Sequence, residues 1–468
     1  MVISIKIKKL VGGLLMIWMV GLFGACANII PPDGGARDSL PPRLIAAVPK
    51  DSATNILPKL ITLNFDEYIN LQNVNENLIV SPTIKSNPLV DYKLRTVTVK
   101  IKDSLDPNTT YSLNFGNAIR DVNESNVLKN FTYVFSTGKT IDSFSYKGKV
   151  LLAESGKADS TLIVILHKNL ADTAISKERP RYYTRISGKG DFIFKTLSPG
   201  SYRAFVLPND FTKKYDDSIK LFAFKSGVLT VSANTSVDTL YAYQEFKLKE
   251  KPVKPAVVLD KTGKIDNRLK YQTNLESGQQ DILSTLQLAF NRRIQLADSA
   301  KIVLYDTNYN KISGYSIQLD TAKTKVVIQY PWKELNYFRL VIPKNALSDT
   351  GGISLNKSDT LRFNTKKESE YGSIKIRFTN IQLAKHPVLQ FFVSDKLVES
   401  IPLTSFEVNR KLFIPGSYEL RILYDTNQNG VWDTGSFWKQ KKQPEIVQLI
   451  QQALNVKGNW DNEVTINL

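Results

Sequence analysis

Two histidines, at positions 167 and 386, and one cysteine, at position 26, bound the chemistry open to this 468-residue chain. A poly-histidine metal centre and a thiolate zinc site both need more ligands than that. No Gly-x-Ser-x-Gly elbow, His-Glu-x-x-His pair or phosphate-binding loop occurs in the sequence. A Ser-His-Asp triad would have to use His167 or His386, and each lies in a strand-like or turn-like run that suits a structural role. Asp66-Glu67 is a carboxylate pair of the type glycosidases use, but neighbouring strand residues point to opposite faces, so the pair reads as a solvated strand end.

The richest constellation of oxygen ligands is Asp425-Thr426-Asn427-Gln428-Asn429-Gly430-Val431-Trp432-Asp433. Side-chain oxygens at alternate positions with glycine sixth match the start of a calcium loop, which makes Asp425, Asn427, Asn429 and Asp433 candidate calcium ligands. Ser436 stands where such a loop carries its bidentate glutamate, and the flanks look like strands rather than helices. A tight Asx-rich turn accounts for the same residues without metal. Both readings stand at this level, and calcium is the one cofactor the sequence suggests.

Cys26 is chemically conspicuous through its position. Lys6, Lys8 and Lys9 precede an uncharged apolar run, Leu10 to Phe23, and Gly24-Ala25 supply small residues before the cysteine. Such a run is shorter than the roughly 20 residues a membrane-spanning helix needs, so residues 1–25 read as a secretory signal. Leu22-Phe23-Gly24-Ala25-Cys26 resembles a bacterial lipobox, in which the cysteine is acylated and heads the mature chain. A plain signal peptide with an incidental cysteine is the competing reading. Residues 26–42, with four prolines and no periodicity, read as a flexible tether.

The elements that must position anything further are strands. Ile61-Thr62-Leu63-Asn64-Phe65, Val97-Thr98-Val99-Lys100-Ile101 and Tyr111-Ser112-Leu113-Asn114-Phe115 alternate apolar and polar residues, the period of a half-buried strand. With turn residues between them, they predict an all-β sandwich over 43–139. The pattern returns: Ile61–Leu71 lines up with Leu286–Leu296, and Phe131–Thr137 with Asp359–Thr365, at offsets of 225 and 228 residues. In the second copy Asn291-Arg292 replaces Asp66-Glu67. The intervening segments also pair, through Pro199-Gly200-Ser201-Tyr202 and Pro415-Gly416-Ser417-Tyr418, each between two apolar strands.

The chain is therefore expected to be all-β, with four tandem β-sandwich modules: A1 (43–139), B1 (141–245), A2 (273–366) and B2 (370–468). A basic, proline-punctuated linker is expected at 246–272. Residues 445–456 fit either a helix or a strand of B2, since Ile446, Leu449, Ile450, Ala453 and Leu454 keep helical spacing. The net charge of +18 would suit nucleic acid, but an exported protein meets none; anionic lipid headgroups are its commoner acidic neighbours.

The motifs support a resemblance. Cys26-Ala27-Asn28, Gly34-Gly35, Phe65-Asp66-Glu67-Tyr68, Asn108-Thr109-Thr110-Tyr111, Phe115-Gly116-Asn117-Ala118-Ile119-Arg120-Asp121 and Phe135-Ser136-Thr137-Gly138 resemble outer-membrane lipoproteins of Bacteroidota. Those proteins carry a bacterial Ig-like domain of the type described in S-layer proteins. The B modules look like prealbumin-like or carboxypeptidase-regulatory-like sandwiches, through Gly190-Asp191-Phe192-Ile193-Phe194 and the Pro-Gly-Ser-Tyr repeats. The resemblance implies an Ig-like, prealbumin-like, Ig-like, prealbumin-like series, lipidation at Cys26 and an outer-membrane location, but no reaction. The absence of acids between Cys26 and Asp33 favours the periplasmic face over the cell surface.

The expectation for function is a non-catalytic, membrane-anchored binding or assembly module, accessory to an outer-membrane protein complex, whose partners are the membrane and other envelope proteins. A surface glycan-binding or adhesion protein is the alternative, with Trp432 and Trp438 beside the candidate loop as its hint. A hydrolase is the remote one.

Overall fold

The computed structural model describes residues 37–233, 235–247, 268–296 and 298–468. The signal segment, Cys26, most of the tether and residues 248–267 of the basic segment lie outside that set. The chain forms two compact units that divide after Ile141. Among the described residues helix is confined to short turns such as Val74–Asn77 and Ala174–Lys177, and nearly all remaining order is β.

In the first unit, A1 places Leu44–Val48, Leu60–Phe65, Thr96–Lys100 and Leu89–Lys93, in that order, in a four-stranded antiparallel sheet. A second sheet orders Ile79–Ser81, Thr110–Asn114 and Thr132–Ser136, and Ile69–Leu71 pairs with Ile119–Asp121. The alternation read from the sequence is the inside-outside pattern of these strands. Ile61, Leu63 and Phe65 face the core with Val97, Val99, Leu113 and Phe135, while Thr62 and Asn64 are only half-buried.

A2, in the second unit, repeats this strand order. Tyr271–Thr273, Leu286–Phe290, Lys325–Gln329 and Ser316–Leu319 form one sheet; Gln279–Gln280, Asp359–Thr365, Tyr337–Ile342 and Val303–Tyr305 form the other. Ile294–Leu296 pairs with Leu347–Asp349. The repeat extends to single hydrogen bonds: Phe65 N–H donates to Arg95 O at 2.8 Å and Phe290 N–H to Thr324 O at 2.8 Å. Leu269 is buried in the A2 core and Tyr271 opens its first strand, so the segment expected as linker up to 272 gives its last residues to the sandwich.

B1 and B2 share a different plan. In B1, Phe144–Leu152 runs antiparallel to Asp191–Leu197 and parallel to Asp238–Ala242. Opposite lies a sheet of Tyr182–Arg185, Leu162–His167, Gly200–Pro208 and Ala223–Phe224, with Leu229–Val231 also on Gly200–Pro208. In B2, Gly372–Thr379 takes the same place between Glu407–Phe413 and Asp461–Asn467. The facing sheet holds Lys396–Pro402, Pro387–Val393, Gly416–Tyr424 and Ile446–Leu449, with Leu454–Val456 on Gly416–Tyr424. Residues 445–456 are thus two strands joined by a turn, because their apolar side chains pair across Gly416–Tyr424. The Pro-Gly-Ser-Tyr repeats mark one corner: Tyr202 Oη donates to Ser198 O at 3.0 Å and Tyr418 Oη to Ile414 O at 2.7 Å.

What sequence spacing does not predict is that B1 and B2 pack on each other within the second unit. The loop over 425–445, which follows the long strand of B2, lies on B1 and delivers Phe437 into an apolar cluster of Phe205, Phe222, Phe224 and Tyr243. The hairpin turn at 153–157 of B1 lies along the strand Ile446–Leu449, with Val447 N–H donating to Ala153 O at 2.8 Å. Gly156, at φ +68°, makes that approach possible: a Cβ there would come within 2.6 Å of Leu449 N.

Candidate functional site

The packing of B1 on B2 leaves a cleft of about 880 Å³ between them. Its floor is the outer face of the five-stranded B2 sheet, where alternation along Pro387–Val393 sends Leu389 and Phe391 into the B2 core and Val388 and Gln390 to the other side. Gln390, Phe392 and Arg421 line this floor. B1 supplies Leu152, Glu154 and Tyr243, and the 425–445 loop supplies Val431, Trp432 and Asp433.

The cleft's cations are held by acids on its own walls. Arg421, 5 % exposed, bonds Glu419 through Nε at 2.6 Å and Asp395 through Nη2 at 2.8 Å, with its guanidinium 3.8 Å from the Phe392 ring centre. Lys157 of B1 reaches across to Asp395 at 2.8 Å and Glu419 at 2.9 Å. The Asp395 bond, then the Glu419 bond, raise the Lys157 pKa above its ordinary value. Burial pushes the Glu419 carboxyl upward, but the bonds from Lys157 and Arg421 outweigh it and hold the group below the usual range. At the other end Lys247 pairs with Glu154 and sits 5.2 Å over the Trp432 ring. Gln390 is 5 % exposed, and its side-chain amide has no hydrogen-bond partner among the described residues.

The candidate calcium residues adjoin this cleft. Asp425 is buried and accepts Asn429 N–H at 3.2 Å and Gly430 N–H at 2.7 Å. The amide nitrogens of Asn427 and Asn429 both face Asp433 Oδ2, the latter at 3.1 Å. Asn429 Oδ1 accepts Val431 N–H at 2.7 Å, and the buried Glu445 takes Thr426 N–H at 2.8 Å and Asp433 N–H at 3.0 Å. The loop is closed by its own N–H groups, as in an Asx turn. Among the described residues no three His, Cys, Asp or Glu side chains converge in a metal-holding group.

The remaining candidates stand apart. His167 is buried in the B1 sheet, and burial lowers its pKa to about 4, so it is neutral at physiological pH. His386 lies in an exposed turn of B2, its Nε2 3.4 Å from Gln428. Neither meets a Ser and an acid in a triad. Asp66 and Glu67 fall in the bend just past Leu60–Phe65, so their separation is set by the bend rather than by strand alternation. Asp66 accepts Arg43 N–H at 2.7 Å and Arg43 Nε at 2.9 Å. Sequence reasoning missed Gln390, Arg421, Asp395 and Lys157, since a buried arginine network leaves no spacing signature. Trp432 and Asp433 were the cleft residues that the sequence marked.

Residues 38–137 match the family described as bacterial Ig-like domain. No curated protein matches the chain. Among solved structures, the chain is similar to native alpha-2-macroglobulin from Escherichia coli spanning domains MG0-NIE-MG1, at 13 % identity over 39 % of this chain and 71 % of that one, with a TM-score of 0.20. BcpA, the major pilin subunit of Bacillus cereus, matches at 9 % identity over 70 % and 99 %, with a TM-score of 0.16. The N-terminal part of the bacterial S-layer protein SbsC matches at 13 % identity over 42 % and 44 %, also with a TM-score of 0.16.

Proposed function

We propose that this protein is a non-catalytic binding or assembly module of the cell envelope, lipidated at Cys26, anchored in the outer membrane on its periplasmic face and accessory to an outer-membrane protein complex. The observation that carries the reading is the clasp of B1 and B2 through Phe437. It converts two sandwiches into one body that presents loops and an open sheet edge, Lys396–Pro402, while Lys157, Asp395 and Glu419 are engaged in holding the modules together. Such a body suits holding a partner in a set position at the end of a tether. The Ig-like match at 38–137 supports an envelope or extracellular setting. Among the described residues no helix is long and apolar enough to cross a membrane. The anchor in this reading is the lipid on Cys26. More than one acyl chain gives stable attachment.

Two measurements test it. Cys26→Ala should release the protein from the membrane fraction or leave its signal uncleaved; normal cleavage with full membrane retention rejects the lipid anchor. Affinity purification of the tagged full chain from detergent-solubilised membranes should recover an outer-membrane protein in fixed ratio. Recovery of the chain alone rejects the accessory role.

A further inference from the structure

We infer that the cleft between B1 and B2 is a binding site for a neutral oligosaccharide. Its size falls within the roughly 300–1,000 Å³ of small-ligand sites, and like them it lies at a domain interface with apolar walls and a few polar groups. Gln390 is the feature that packing alone leaves unexplained. Its amide opens onto the cleft floor, is engaged by no protein group among the described residues, and has both a donor and an acceptor to offer.

The charges select against an anionic ligand. Arg421 is held by Glu419 and Asp395, Lys157 by the same two acids, and Lys247 by Glu154. No cation lining the cleft is left over for a phosphate or carboxylate; of the four acids on the lining, Asp395 and Glu154 are paired with cations, while Glu245 accepts Phe437 N–H and Asp433 accepts the Asn427 and Asn429 amides. The floor also selects against a peptide main chain. It is the face of a hydrogen-bonded sheet, whose backbone groups serve the pairs of Pro387–Val393 with Lys396–Pro402 and Gly416–Tyr424. What the cleft offers is an indole, a guanidinium-backed phenyl ring, an amide and carboxylate edges. A sugar matches that set, with C–H faces for Trp432 and Phe392 and hydroxyls that both donate to and accept from Gln390. The Lys247 ammonium over Trp432 lies on a half-exposed side chain and can swing aside.

The inference is independent of the partner assigned above, which purification tests separately. The experiment uses the full chain in a detergent without a sugar headgroup, titrated with maltotriose, cellotriose, xylotriose, mannotriose and tri-N-acetylchitotriose. Tryptophan fluorescence and calorimetry are the readouts. At least one sugar should give saturable binding with a fluorescence change. Gln390→Met, which keeps the volume but removes the amide, should weaken that binding tenfold or more at unchanged melting temperature, and Trp432→Phe should remove most of the fluorescence change. No heat or fluorescence change with any sugar overturns the inference. Equal affinity in Gln390→Met, or saturable binding only of an apolar peptide such as penta-leucine flanked by lysines, overturns it as well.

Discussion

Phe437 of B2 stands edge-on to Phe222 of B1, ring centres 5.1 Å apart, and is fully buried in a cluster drawn mostly from B1, with Trp432, Trp438 and Lys441 of its own module beside it. Phe205 and Phe224 complete the socket at 5.7 and 5.1 Å. The contact is a domain core assembled from segments about two hundred residues apart, with bonds between backbone and side chain at its rim. Phe437 N–H donates to Glu245 Oε1 at 2.8 Å and Gln443 Nε2 to Phe224 O at 3.0 Å.

Removing the plug should open the clasp. Phe437→Ala deletes a fully buried ring and is expected to cost about 3–4 kcal/mol, in the range of buried phenylalanine truncations. Trp438, 43 % exposed and stacked at 6.4 Å on Tyr215, should lose that stacking and the cover of the Phe437 ring, and its emission should shift further to the red. Denaturant unfolding and fluorescence check both; an unaltered midpoint and spectrum would mean that the modules are held elsewhere.

The clasp should also loosen in acid. The Asp395 and Glu419 carboxyls are held below their ordinary values of 3.8 and 4.5, Asp395 chiefly by the Lys157 bond, Glu419 by Lys157 and Arg421 against the opposing effect of burial. For a depressed carboxylate the stabilisation is complete above the unfolded pKa and disappears as pH falls through the folded one. Contact between the modules should therefore be constant from neutral pH to about pH 5 and weaken progressively below 4.5. Lys157→Met should flatten that acid limb, as read by Trp438 emission against pH.

A charge reversal distinguishes the two A modules. Arg292 Nη1 bonds the buried Asp349 at 3.1 Å, while the corresponding position in A1 is Glu67, close to the equally buried Asp121. Burial first, and then the charge of Asp121, raise the Glu67 pKa above 4.5. With the folded pKa above the unfolded one, ionised Glu67 opposes folding at neutral pH, and A1 gains stability as pH falls through that raised value. Glu67→Lys should stabilise A1 by about 0.5–1 kcal/mol. Slower hydrogen exchange of the amides of Leu60–Phe65 is the measure, and faster exchange would refute the equivalence.

The loop at Asp425 has a direct test. Its hydrogen-bonded closure leads to the expectation that melts in EDTA and in millimolar calcium superimpose, and that Asp425→Ala costs about 1–3 kcal/mol by freeing the N–H groups of Asn429 and Gly430. A calcium-dependent rise in Tm that Asp425→Ala abolishes would instead assign the metal.

The strands, their buried faces and the twofold repetition were legible in the sequence because they are local. Period two in Ile61–Phe65 states which side of a sheet is dry, and Pro199-Gly200 and Pro415-Gly416 state where the chain turns, whatever lies beyond. The helical spacing across Ile446–Leu454 left helix and strand both open for the same reason: periodicity records which residues are apolar, and the partner strand Gly416–Tyr424 decided how they pair. The cleft was decided by tertiary structure alone. Phe437 and Gln390 look unexceptional in sequence, one as a loop aromatic and the other as a polar interruption of an apolar strand. Each acquires its role only when B1 closes over the outer face of the B2 sheet, because burial and the loss of water as a partner are properties of two surfaces meeting and not of either sequence by itself.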